Sequence, residues 1–207
     1  MIRRPAQATL AAVTVALSPG AGAAAVAVSV TGTDGKPVTQ AVVVLRSTTG
    51  AAAPASVPRN VVMDQIDKEF VPLVVAVQTG GAVSFPNRDN IRHHVYSFSA
   101  PRTFELKLYS GVPAKPVVFD KPGVVTLGCN IHDWMVGYVY VADSPWFGKT
   151  GVDGTATVEA PPGEYVATAW HPWSADPSAE QKLRVEAGGS RLQFRLTLVP
   201  PPVLNRK

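Results

Sequence analysis

Apolar and polar residues alternate with a period of two along most of this chain, the pattern of strands with one face buried. The alternation begins at Val26, Val28 and Val30, breaks at the turn formers Thr33-Asp34-Gly35-Lys36-Pro37, and gives way to the apolar run 41–45. This reads as strand, turn, strand. An Ala/Pro-rich stretch over 50–58 is expected to be a linker. A denser set of strands is predicted at 61–63, 73–77, 82–85, 93–98, 103–108, 117–119, 124–127 and 137–141. Its separators, such as Gly80-Gly81, Asn87-Arg88-Asp89 and Lys121-Pro122-Gly123, are turn formers. Beyond Ser144-Pro145, turns at Val152-Asp153-Gly154 and Pro161-Pro162-Gly163 precede strands at 156–158 and 166–170, and 182–186 and 191–198 add two more. No long helical period appears after the N-terminus. The expectation is an all-β chain built as sandwiches or barrels.

Composition agrees. Of 207 residues, 46% are apolar and 16% charged, which permits a buried core and excludes wholesale disorder. Nineteen prolines and seventeen glycines among short Val/Thr runs favour strands and turns over a helical bundle. The first 25 residues read as a signal peptide: Met1-Ile2-Arg3-Arg4 is a basic start, an apolar stretch follows, and small residues at Ala23 to Ala25 offer cleavage sites. The chain is therefore expected in the periplasm, with no transmembrane segment once the leader is removed. Arg3-Arg4 alone does not separate twin-arginine from general export. Losing those two arginines lowers the formal charge from +4 to +2. No basic cluster interleaved with aromatics exists, so nucleic acid is not an expected partner. Residues 200–207 read as a frayed tail.

One cysteine changes the picture. Cys129 cannot form an internal disulfide, which leaves a metal ligand, an intermolecular bridge or a buried thiol. It opens Cys129-Asn130-Ile131-His132-Asp133-Trp134-Met135, a C-x2-H-x2-M spacing. Thiolate, imidazole and thioether together suit copper, provided a second imidazole arrives from elsewhere. His93-His94 supplies a candidate, and strand alternation turns these two side chains to opposite faces, so only one can join. The bland alternatives are a buried thiol acting as a small hydrophobe, a surface His pair and a core methionine. His171 is expected in a turn, and Trp146, Trp170 and Trp173 at a domain junction.

Two family resemblances organise these observations. The stretches VSVTGTDGKPVTQAVVVL and TGVDGTATVEAPPGEYVATAWHP resemble successive strands of transthyretin-like or carboxypeptidase-regulatory-like domains. Neither has enough strands for a sandwich alone, so one discontinuous β domain over 26–50 and 145–199 is expected, with 60–143 inserted. That insert resembles the cupredoxins, the plastocyanin- and amicyanin-like blue copper proteins. The resemblance runs from Phe70-Val71-Pro72 through Val75, Val77, Gly80-Gly81, Val83 and Phe85-Pro86-Asn87 to His93, then from Pro122-Gly123 to Cys129 and Met135-Val136-Gly137-Tyr138-Val139. The short Cys-to-Met loop has the amicyanin spacing.

The resemblance implies a Greek-key sandwich holding one type 1 copper, with His93, Cys129 and His132 as equatorial ligands and Met135 axial. His94 stands where many members carry an asparagine that braces the cysteine loop, and Asp133-Trp134 replaces the Pro-Phe of amicyanin. With Asn87, these residues are expected close around the metal or facing a partner. The implied function is single-electron transfer between a donor and an acceptor redox protein, with His132 as the electron port. Exported proteins of this kind are often labelled methylamine utilization proteins, which implies a periplasmic dehydrogenase as donor. Four protein ligands leave no open position for substrate, and four histidines cannot build further metal clusters, so no enzymatic activity is expected. The competing readings are copper binding, storage or delivery without electron shuttling, and a metal-free β-sandwich binding or envelope protein. Oligomeric state is left open.

Overall fold

A computed structural model describes residues 22–51, 60–113, 115–176 and 179–199. Most of the expected leader, linker and tail lie outside these described residues. The described residues are all-β and contain no helix, and thus none long and apolar enough to cross a membrane.

Two strands lead the chain, β1 (Ala24–Gly32) and β2 (Val42–Ser47). Ten follow as a block: β3 (Asn60–Val62), β4 (Asp64–Ile66), β5 (Glu69–Val71), β6 (Val74–Gln78), β7 (Gly81–Ser84), β8 (His93–Ser99), β9 (Arg102–Tyr109), β10 (Val117–Phe119), β11 (Gly123–Cys129) and β12 (His132–Ala142). The last five are β13 (Trp146–Lys149), β14 (Thr155–Ala160), β15 (Gly163–Trp170), β16 (Ala179–Val185) and β17 (Ser190–Leu196).

The first two strands pair with the last five. One sheet has the order β14-β1-β17 and the other β13-β2-β15-β16. Their inward residues, among them Val26, Val28, Val30, Val43, Leu45, Tyr165, Ala167, Leu192 and Phe194, form one buried cluster. The turn before β14 is tied to β1 by Val30 N–H donating to the Gly154 carbonyl at 2.8 Å. Gly154 has φ +72, and a Cβ there would lie 2.6 Å from the Val30 carbonyl oxygen, so only glycine fits.

The central block builds a second layered core. Its five-stranded sheet runs β6-β12-β11-β8-β9 and its three-stranded sheet β10-β7-β3, with β4 and β5 as a separate hairpin. Met63, Phe70, Val75, Val83, Phe85, Val95, Phe119, Leu127, Cys129, Met135 and Val139 share this cluster.

The apolar run at 41–45 has a specific cause. Val43 and Leu45 face the first core, whereas Val42 and Val44 face a third cluster with Val74 and Ala142, flanked by Tyr138, Tyr140, Phe147 and Trp170. Strand β2 is thus buried on both faces, and alternation disappears from its sequence. Polar groups fasten the same junction. Val74 N–H donates to Gln40 Oε1 at 2.9 Å, and Lys149 Nζ donates to the Val74 carbonyl at 2.6 Å. Arg46 Nε reaches both oxygens of Asp143 at 2.8 Å.

Of the three tryptophans expected there, Trp170 packs on Tyr138 and Tyr140. Trp146 instead lies edge-on to Tyr165 inside the first core, and Trp173 packs on His171. The difference at Trp146 follows from strand parity, because the indole falls on the inward face of β13.

His171 follows β15 as a loop residue, buried beside Trp173, whose backbone N–H donates to His171 Nδ1 at 3.3 Å. Burial pushes its pKa down to about 4, against the opposing pull of a hydrogen bond to the Thr39 backbone. The unfolded chain therefore binds the extra proton first. The stability carried by neutral His171 is complete above the ordinary histidine value and drains away as pH falls toward about 4. In urea titrations repeated across that window, His171→Gln should flatten the fall in midpoint seen for the wild type. Parallel slopes in the two proteins would rule this out.

Candidate metal centre

The β11–β12 hairpin places the cysteine motif. Strands β11 and β12 pair regularly to Gly128 opposite Val136, then the register shifts so that Cys129 faces His132. Only Asn130 and Ile131 lie between the strands. His132 therefore starts a strand rather than sitting in a loop, and Met135 falls on the inward face of β12 with Val139 and Val141. Met135 is buried in the same cluster as Cys129.

The second imidazole comes from β8, the neighbour of β11. His93 Nδ1 lies 3.8 Å from Cys129 Sγ, and His132 Nδ1 lies at the same distance. The two imidazole rings are 4.9 Å apart. Donor atoms of His93, Cys129 and His132 all fall within 4.8 Å of one another. Bonds of about 2.3 Å to sulfur and about 2.0 Å to nitrogen, opened to a wide angle, separate S and N by ~3.6–3.8 Å. One soft thiolate and two imidazoles at this spacing are compatible with a copper site.

His94 points elsewhere. Its Nε2 lies 2.8 Å from Glu105 Oε1 on β9, and its ring packs on Tyr96 at 5.5 Å. Its Nδ1 is buried with no partner among the described residues. Asn87 is buried and braces the segment that delivers His93: its Nδ2 donates to the Ile91 and Tyr109 carbonyls at 2.9 and 2.8 Å. Asp133 is exposed, and Trp134 packs against the His132 ring at 5.1 Å. Of the expected residues, the fold gathers His93, Cys129 and His132, and Met135 shares the buried cluster of Cys129. His94 and Asp133 lie outside that cluster.

Three contributors escaped the sequence reading. Asp89 Oδ2 lies 2.7 Å from His93 Nε2. Burial raises the Asp89 pKa, but hydrogen bonds from the Lys68 backbone, His93 and the Asp67 backbone outweigh it and hold the carboxyl below its usual range. Tyr109 donates from its O–H to the Phe85 carbonyl at 2.6 Å, and burial pushes that phenol up to about 12. Gln65, fully buried, donates to the Phe85 and Pro86 carbonyls. Asp89, four residues before a candidate ligand, carried a signal in its spacing; Tyr109 and Gln65 carried none. Burial, then the charges of His93 and Lys68, keeps the His132 pKa below the ordinary value, so the ring is neutral at neutral pH.

No family model and no curated protein matches the chain. Solved structures are similar to part of it. A Cu-containing nitrite reductase from Thermus scotoductus is 23% identical over 47% of this chain and 27% of its own, with a TM-score of 0.39. This chain thus spans about a quarter of that protein. A purple cupredoxin from Nitrosopumilus maritimus is 22% identical over 40% of this chain and 98% of its own, TM-score 0.35. A reduced Cu(I) amicyanin is 17% identical over 48% and 98%, TM-score 0.36. The expectation that the chain has no enzymatic activity is corrected by the first of these. That expectation took the closed ligand set as a sign of a non-catalytic protein, yet an enzyme that contains copper is among the structures similar to this chain.

Gly128 is a tight point beside the thiol. It pairs with Tyr96, and a Cβ on Gly128 would lie 2.8 Å from the Tyr96 ring. Gly128→Val should destabilise the protein by about 1–3 kcal/mol through overpacking. Adding Tyr96→Ala should recover much of that loss in chemical denaturation. Strictly additive losses in the double variant would show that the ring is not the obstacle.

Proposed function

We propose that this protein is a type 1 copper protein that carries single electrons between a donor and an acceptor redox protein in the periplasm. The observation that carries the reading is the convergence of His93 Nδ1 and His132 Nδ1 on the Cys129 sulfur, each at 3.8 Å. Cys129, His93, His132 and Met135 would hold the copper. Copper held there supplies a one-electron couple between Cu(I) and Cu(II). The chain contributes a fixed ligand cage, because Cys129, His93 and Met135 are buried and rooted in paired strands. A ligand set that hardly moves between oxidation states lowers the barrier to electron exchange.

His132 is the least buried of the three donors, and it lies between exposed Ile131 and the Trp134 ring. It is the port through which electrons pass to a partner. A periplasmic dehydrogenase, of the kind associated with methylamine utilization, is the proposed donor. Export by the leader at 1–25 belongs to the same proposal. So does the division into a split β domain, 26–50 with 145–199, and an inserted copper domain, 60–143, which the separate buried clusters support.

Addition of Cu(II) to the purified protein should produce an intense visible thiolate-to-copper band that a mild reductant bleaches. Cys129→Ala and His93→Ala should lose the band, whereas His94→Ala should retain it. Tight Cu(I) binding without a coloured Cu(II) form would favour storage or delivery instead. A band that survives Cys129→Ala would end the type 1 assignment.

A further inference from the structure

The face of β1 turned away from the first core carries little side chain. Val26, Val28 and Val30 are buried in that core, which leaves Ala25, Ala27 and Ser29 on the outer face. Strands β14 and β17 flank it, with Thr157 and Arg191 beside Ala27, and Thr155 and Gln193 beside Ser29. The result is an open groove of about 310 Å³ along β1. Its two banks carry opposite charge. The β14 bank has Glu159, which pairs with Ala25, and Asp153, whose carboxylate accepts the Thr155 hydroxyl at 2.7 Å in the turn into the strand. The β17 bank has Arg191 and Arg195. All four are exposed, and among the described residues none has an ion-pair partner. Arg195 Nη2 donates to the Thr33 carbonyl at 2.6 Å.

We propose that this face packs on the same face of a second copy of the chain, about a two-fold axis parallel to β1. Such an axis lays the β14 bank of each copy on the β17 bank of the other and leaves positions along the strands unchanged. Arg191 then stands over the row of Thr157, one side-chain step of about 7 Å from Glu159. Arg195, which pairs with Thr31, stands level with Asp153, two residues before the Thr155 that pairs with Ser29. Sheets packed face to face lie about 10 Å apart, a gap that an arginine and a carboxylate side chain bridge together. The bare alanines of β1 permit that approach. Each contact occurs twice, once in each direction across the axis. A polyanion would meet Glu159 and Asp153, and a polycation Arg191 and Arg195, whereas a second copy turned about the axis answers both banks at once. The proposal makes no use of the metal site. Three strands form a modest face, so the association is expected to be weak and concentration-dependent.

Sedimentation velocity of the purified protein should show a monomer–dimer equilibrium that loosens as salt is raised. Arg191→Glu and Glu159→Arg, each alone, should weaken it by about 10–100-fold, because both symmetric contacts become like-charge pairs. The double variant Arg191→Glu/Glu159→Arg should associate like the wild type. Mixing the two single variants in equal amounts should also recover the dimer, since in the mixed pair each glutamate again meets an arginine. A wild type that stays monomeric at every attainable concentration overturns the proposal and leaves the groove to another partner. So does a dimer that neither single substitution weakens, or one that neither the double variant nor the mixture restores.

Discussion

Two residues, Asn130 and Ile131, separate the strand that ends in Cys129 from the strand that begins at His132, and that short turn governs the candidate metal site. Antiparallel pairing brings the thiol and the imidazole together across the turn, so this contact needs no long-range closure. The same pairing fixes parity on β12 and sends Met135 inward. A separate pairing sets β8 beside β11, with Tyr96 opposite Gly128, and brings His93 to the cysteine. Parity on β8 is unforgiving. A slip of one residue would turn His93 outward and carry His94 into the core in its place.

The same rule explains what could be read from the chain and what could not. Long strands were legible because one face is buried: β8, β9, β11 and β17 fall within a few residues of their expected positions. Strands of three or four residues are too short to display a period and were read unevenly: β3 and β10 were expected, whereas β4, β5 and β13 went unseen. The cysteine motif was legible because Cys129, His132 and Met135 lie within one seven-residue stretch. Asp89 was read as a turn residue, since Asn87-Arg88-Asp89 has turn composition whether or not its carboxylate meets a histidine. Tyr109 and Gln65 matter through contacts that only the assembled layers create. Trp146 was misplaced at the junction because composition gives the side chain but not its face.

Burial on both sides of the β2 sheet links the two cores through Val42 and Val44. A substitution on β2 therefore acts on the first core or on the junction according to whether its position is odd or even. His132 stands at the start of β12, while the last residue of the strand, Ala142, lies in the junction cluster. Strand β12 thus runs from the His93–Cys129–His132 cluster to the junction cluster.

Val74 gives that junction a second meaning. Strand β6 is the outermost strand of the five-stranded sheet, and the outward N–H and C=O of Val74 are satisfied by Gln40 and Lys149 from the flanking segments rather than by another strand. Open strand edges template pairing with other chains. Gln40 and Lys149 thus act as a stopper on this edge of the five-stranded sheet. Without these contacts the five-stranded sheet would bare a ladder edge, and the hazard would be joining a second copy edge to edge.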